Sequence, residues 1–130
     1  GIPANIQKFF DTLQQYDGFI IASPEHNGLV PAVFKNTIDW LSRINMKFLG
    51  DKPLVLLSAS PGGYGGANNL NVLKNLVPWW GGQLVADYSI GNYFEKIDPN
   101  TQTINNEEDI KNLKSAVGKL EEALKTVVSA

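Results

Sequence analysis

The chain contains no cysteine and a single histidine, His26. The first lack excludes disulfides, thiolate nucleophiles and zinc–cysteine sites, and the second leaves metal binding without its commonest ligand cluster. Positive charge is also sparse. Eleven Lys and Arg stand against 13 Asp and Glu, for a formal net charge of −2, and they are scattered. No basic stripe can track a nucleic-acid backbone, so no DNA or RNA partner is expected. Apolar runs stay well short of the roughly 20 residues that span a bilayer, and the first residues, GIPANIQKFF, have neither the basic start nor the apolar block of a signal peptide. A cytoplasmic location with no membrane partner is the expectation. Any chemistry must come from backbone, hydroxyls, carboxylates or a borrowed cofactor.

What is present is enough for a core: 43% of the 130 residues are hydrophobic, and no composition shift marks a linker, so one domain over 1–130 is expected. Ile6, Phe9, Phe10 and Leu13 recur at helical spacing and predict a helix from Pro3 to Tyr16, stopped by Asp17-Gly18. Phe19-Ile20-Ile21-Ala22 and Leu54-Val55-Leu56-Leu57 are continuous apolar runs, the pattern of strands buried on both faces of a parallel sheet. Between them a helix is predicted from Pro31 to about Ile44. It carries two adjacent apolar rows, Phe34, Ile38, Leu41 and Val33, Trp40, Ile44. Either that helix is deeply packed, or one row meets the sheet and the other a partner subunit.

A further helix is predicted from Ala67 to about Val77, with Leu70, Leu73, Leu76 and Val77 inward, and a third strand from Gln83 to Ile90. Asp98-Pro99-Asn100 has turn composition. Asn105 and Glu108 then read as a capping box opening the last helix, whose seam of Ile110, Leu113, Val117, Leu120, Leu124 and Val127 predicts docking on the sheet, with a coiled coil as the alternative. The alternation of helix and strand is that of a three-layer α/β/α fold with a parallel sheet, whose ligands bind at the carboxyl ends of the strands.

Two polar loops lie at those ends. In Ser23-Pro24-Glu25-His26-Asn27-Gly28 the chain must turn sharply, and Gly28 is expected to supply a positive φ or a close backbone approach. In Ser58-Ala59-Ser60-Pro61-Gly62-Gly63-Tyr64-Gly65-Gly66 four glycines remove side chains from the surface. A row of N–H donors is the expected product, with the following helix adding partial positive charge, a surface for an anion or an acceptor-rich ring edge. A mobile turn is the plainer alternative. No Gly-Lys-Ser/Thr follows, the glycine spacing is not that of a dinucleotide fingerprint, and the serines lack the nucleophile-elbow context. Glu25 is expected to sit at the surface or cap a helix rather than act as acid or base.

Pro24-Glu25-His26-Asn27-Gly28, with Pro31, Lys35-Asn36, Asp39-Trp40 and Ser42-Arg43, resembles the Pro-Glu-Tyr-Asn-Gly loop and helix of the NAD(P)H-dependent FMN reductase family. That family is flavodoxin-like and includes quinone, azo-dye and chromate reductases. Ser58 to Gly66 resembles its second glycine loop. The resemblance implies FMN as cofactor and NAD(P)H as co-substrate, with a quinone, azo dye, metal ion or free flavin as acceptor. It further implies a homodimer or homotetramer. By the same resemblance Pro24, Glu25, His26, Asn27 and Gly28 line the flavin ring, and Ser60, Pro61, Gly62, Gly63, Tyr64, Gly65 and Gly66 lie along its pyrimidine side. No catalytic side chain and no metal site are implied, because the flavin carries the hydride.

Two departures stand out. His26 replaces the family's tyrosine, and the strand, Ser/Arg phosphate loop, helix and second strand that the resemblance implies ahead of this region are not in this sequence. The chain is therefore expected to correspond to the C-terminal portion of the family's usual domain, with the N-terminal βαβ part absent. The phosphate would lack its usual site, and the Phe19 strand is expected at an open sheet edge unless another chain covers it. A non-catalytic flavin-binding or electron-carrier module is the alternative function, and a cofactor-free fragment that only self-assembles is another. The acidic residues cluster only at Glu107-Glu108-Asp109 and Glu121-Glu122, which favours the enzyme over a carrier that docks through an acidic patch.

Overall fold

The computed structural model describes residues 1–129. The elements run α1 (Ala4–Leu13), β1 (Phe19–Ala22), α2 (Ala32–Ile44), β2 (Lys52–Ala59), α3 (Ala67–Leu76), β3 (Gly82–Ile90) and α4 (Glu107–Ser129), with short 3-10 turns at Val77–Trp80 and Tyr93–Glu95. The three strands form one parallel sheet in the order β1-β2-β3. α1 is shorter than its apolar spacing predicts, and Pro3 precedes it as the N-cap, a position where its missing N–H costs nothing. α3 likewise stops one residue early. Val77 starts a 3-10 turn that holds Pro78, and Gly81 closes that turn.

β2 is the hub. Leu54 and Leu56 point to one face and meet Ile38, Leu41, Leu70, Leu73 and Trp80, while Val55 points to the other and meets Ala116 and Leu120 of α4. Each fully buried aliphatic of this kind contributes about 1.5–3 kcal/mol. The doubly buried pattern expected of β2 is therefore present. β1 departs from it: Phe19 and Ile21 pack against the α1/α2 side, but Ile20 is 51% exposed and Ala22 is also open. The cause is position. β1 ends the sheet and pairs only with β2 among the described residues, and α4 packs on the opposite face chiefly over β2 and β3.

α2 is not buried across its broad arc either. Ile38 and Leu41 are buried, Phe34 packs tilted against Trp80, Trp40 and Ile44 are half-buried, and Val33 is 73% exposed. Much of the core beside it comes from Phe48 and Leu49, which leave α2 in an irregular turn that no helical or strand period marks.

α4 docks on the sheet as expected, but its predicted seam is rotated. Asp109, Ala116 and Leu120 are buried, whereas Val117 and Val127 are exposed. The cap is shifted by one residue. Asn106, not Asn105, accepts the Asp109 amide through its Oδ1 at 3.0 Å, and Glu108 instead accepts from Asn112 along the helix. The Asp98 turn is present, with Asp98 Oδ1 accepting the Asn100 amide at 2.8 Å. No helix among the described residues is long and apolar enough to cross a membrane.

Candidate functional site

β1 ends at Ala22, and the Ser23 amide continues the ladder by donating to Leu57 O at 3.0 Å. The chain then folds into a hairpin in which His26 and Leu29 exchange backbone hydrogen bonds at 2.9 and 3.1 Å around Asn27 and Gly28. Both central residues have positive φ, 52° and 83°, the signature of the Asn-Gly hairpin turn. Gly28 meets its expectation. Asn27 shares the burden, which the dipeptide itself could have signalled.

The second loop leaves β2 at Ala59. Its carbonyls are engaged: Ser60 O accepts from the Tyr93 amide, Gly62 O from the Asn92 amide, and Tyr64 O from the Ala67 amide. Ser60 N–H is tied to Ile90 O at 3.0 Å. Among the described residues the amides of Gly62, Gly63 and Tyr64, and those of Asn27 and Gly28, donate to no protein acceptor. The carbonyls of Ser60, Gly62 and Tyr64 are thus engaged within the protein while the amides of Gly62, Gly63 and Tyr64 have no protein acceptor, which suits them to an acceptor-rich ligand. It is also held by backbone hydrogen bonds at several points.

A buried polar knot joins the two loops. Ser58 Oγ donates to Ser23 O at 2.7 Å, and Asn69 Nδ2 donates to Ser23 O at 2.9 Å and lies 3.3 Å from Ser58 Oγ. Ser23 Oγ in turn donates to Asn69 Oδ1 at 3.0 Å. All three residues are buried, so each polar atom depends on the others. Above the knot Glu25 Oε1 accepts the Asn69 amide at 2.7 Å, capping the first turn of α3 from another segment of the chain. The expected capping role of Glu25 is realised. Gly66, at φ +77°, lies so close to Ser58 that a Cβ would overlap the Ser58 Oγ, which makes this glycine a requirement of the knot.

Sequence reasoning placed the two loops together but missed Asn69. Its signal is a polar residue in the first turn of α3, directly before the inward-facing Leu70. Of the residues named for the ring, Pro24 and His26 line a 680 Å³ groove along β1, walled by apolar residues of α1 and α2 such as Phe9, Phe34 and Ile38. Pro24 also borders a 360 Å³ cavity beneath the strand ends, with Ser58, Tyr88 and Tyr93. Ser60 to Gly66 border neither, and Tyr64 is 86% exposed.

Behind the second cavity the Tyr88 hydroxyl donates to Asp109 Oδ1 at 2.6 Å, Asn112 donates to Tyr88 at 3.1 Å, and Lys96 pairs with Asp109 Oδ2 at 3.3 Å. These contacts staple α4 to β3. Burial, and then the hydrogen bond to Asp109, push the Tyr88 phenol above its usual 10.0. The folded state therefore holds this proton more tightly than the unfolded chain, so the associated stability is present below about pH 10 and falls as the pH rises through the raised value. Tyr88→Phe should lower stability by about 1–3 kcal/mol in urea denaturation, because it leaves the Asp109 carboxylate short of a donor, and should flatten that alkaline loss.

With fold and loops in place, the class is that of flavodoxin-like α/β proteins. The model of the NADPH-dependent FMN reductase family matches residues 1–95, and the chain belongs to that family. It is 33% identical over 103 residues to a quinone reductase of Escherichia coli (strain K12), covering 78% of this chain and 55% of that protein. It is 36% identical over 67 residues to an NAD(P)H-dependent FMN reductase of Pseudomonas aeruginosa, covering 52% of this chain and 36% of that one. The structure of FerB, a flavoenzyme NAD(P)H:(acceptor) oxidoreductase from Paracoccus denitrificans, superposes with a TM-score of 0.79 at 23% identity, over 95% of this chain and 69% of that one. The chain spans about half the length of the quinone reductase it matches. The chemistry of these unpaired amides suits the family's cofactor: the pyrimidine edge of a flavin is rich in acceptors, and glycines put no side chain before the main chain.

Proposed function

We propose that this chain is the ring-binding part of an FMN-dependent NAD(P)H oxidoreductase that passes reducing equivalents to a small acceptor such as a quinone, azo dye, metal ion or free flavin. The observation that carries this is the knot of Ser23, Ser58 and Asn69, which sets two loops with free amides side by side at the carboxyl ends of β1 and β2. When bound, FMN would supply the hydride chemistry, accepting from the nicotinamide and giving to the acceptor.

The protein's part is to hold and orient. The amides of Asn27, Gly28, Gly62, Gly63 and Tyr64 supply fixed donors that need no reorganisation. Pro24 and Glu25 set the turn against the glycine loop, while Ser60 and Pro61 lead into it and Gly65 and Gly66 let it fold down on Ser58. His26 is exposed beside the turn and presents an aromatic face where the family resemblance has tyrosine. No group of three or more His, Asp or Glu residues that could hold a metal ion occurs among the described residues.

A homodimer or homotetramer in the cytoplasm is the assembly we favour. The exposed Ile20, Val33 and Trp79 offer apolar surface for a second copy. The test is to titrate the protein with FMN, follow flavin fluorescence, and then assay NADPH oxidation with a quinone. Saturable binding and quinone-dependent turnover above that of free FMN are expected. Absence of binding even at high FMN would overturn the proposal.

A further inference from the structure

The turn after β1 holds the chain's one Asn-Gly dipeptide, Asn27-Gly28, and every other asparagine is followed by a residue that carries a side chain. The difference is chemical. In such a pair the backbone nitrogen of the second residue can attack the side-chain carbon of the first, and a Cβ on the second residue crowds that approach. Here the approach is open. Asn27 is exposed, and among the described residues its side-chain amide makes no hydrogen bond. The His26–Leu29 hydrogen bonds at 2.9 and 3.1 Å bracket the dipeptide without engaging its own N–H groups, so the Gly28 nitrogen is uncommitted. Nothing lies within 4 Å of the Gly28 Cβ position, which leaves room for a new ring. Asn92 supplies the contrast. It shares the φ of 52°, but its successor Tyr93 carries a side chain and donates its amide to Ser60 O at 3.1 Å.

We infer that Asn27 is a site of spontaneous covalent modification, a deamidation that disables one wall of the two-loop site. The Gly28 nitrogen gives its proton to solvent and bonds to Asn27 Cγ, while the Cγ–Nδ2 bond breaks and ammonia leaves with a proton from solvent. A five-membered succinimide results. Water then opens it at either carbonyl, leaving aspartate at position 27 or, with the main chain rerouted through the former side chain, isoaspartate. Nothing is oxidised or reduced, and water is the only co-reactant. Either product carries a carboxylate that competes for the free amides of the turn, and isoaspartate also lengthens the main chain there by one methylene. The modification stands apart from the flavin reading above, and its effect on the site rests on that reading.

The experiment holds the purified protein at neutral pH and physiological temperature, and follows each asparagine by peptide mass mapping, with isoaspartate read by methyltransferase labelling. Asn27 should convert to the acid at least about tenfold faster than Asn92, a barrier difference of about 1.4 kcal/mol. Equal rates, or an intact Asn27 once Asn92 has converted, would overturn the inference. The converted protein, separated from the parent by its extra negative charge, and Asn27→Asp made directly should both bind FMN about tenfold more weakly, the scale of one hydrogen bond lost from a fixed donor. Parental affinity in the converted protein would refute the claimed effect on the site. If the fresh protein does not bind FMN at all, the flavin reading fails by itself, and the mass map still decides whether the turn modifies itself.

Discussion

Gly66→Ala should destabilise the chain by about 3 kcal/mol, the sum of a left-handed conformation forced on a residue with a Cβ and a clash in a closed space. At φ +77° the new methyl would overlap Ser58 Oγ, lie 3.0 Å from Ser58 Cβ and approach Glu25 Cβ at 3.7 Å. Ser58 is buried and its hydroxyl is committed to Ser23 O, so it has no room to give. Gly28 provides the comparison. Its φ is +83°, but nothing lies within 4 Å of the Cβ position, so Gly28→Ala should cost only the backbone term of about 1–2 kcal/mol. Urea denaturation of the two variants separates strain from clash. Equal losses would show that the contact between Gly66 and Ser58 is not what demands a glycine.

Asn69→Ala should cost about 2–4 kcal/mol and weaken FMN binding with it. The side chain is fully buried, and its removal deletes the donor to Ser23 O and the acceptor of Ser23 Oγ, leaving a small void among polar groups. Ser23 O keeps the Ser58 hydroxyl, and Ser23 Oγ retains Pro24 O at 3.1 Å, which holds the loss below that of a fully orphaned pair. The backbone N–H of residue 69 still reaches Glu25, so the helix cap survives while the tie between the loops is cut. Asn68→Ala, at an exposed neighbour, should change stability by no more than about 0.5 kcal/mol. An Asn69→Ala protein with parental stability and FMN affinity would show that the loops hold their spacing without the knot.

The strands and the two loops were legible because each has a local signal. Leu54 to Leu57 form an apolar run, and the glycines of 62–66 punctuate the chain. What was not legible depends on neighbours. Phe19 to Ala22 read as doubly buried, yet α4 packs chiefly on β2 and β3, so Ile20 faces solvent. Val117 keeps helical spacing with Leu113 and Leu120, but the axis of α4 over the sheet turns Ala116 inward instead. The cap at Asn106 rather than Asn105 is a choice between adjacent asparagines that only the helix start decides. Asn69 was overlooked for a related reason: a buried polar residue carries no period, and its partners lie 46 residues back at Ser23 and 11 back at Ser58.

The claim that the two loops form a single ring site is tested most directly by the FMN titration read residue by residue in amide NMR spectra. The largest shifts should fall together on Asn27 and Gly28 in one loop and on Gly62, Gly63 and Tyr64 in the other, with the Tyr88–Asp109 staple unmoved. Shifts confined to Phe9, Phe34 and other residues of the groove along β1, or to only one of the two loops, would contradict it.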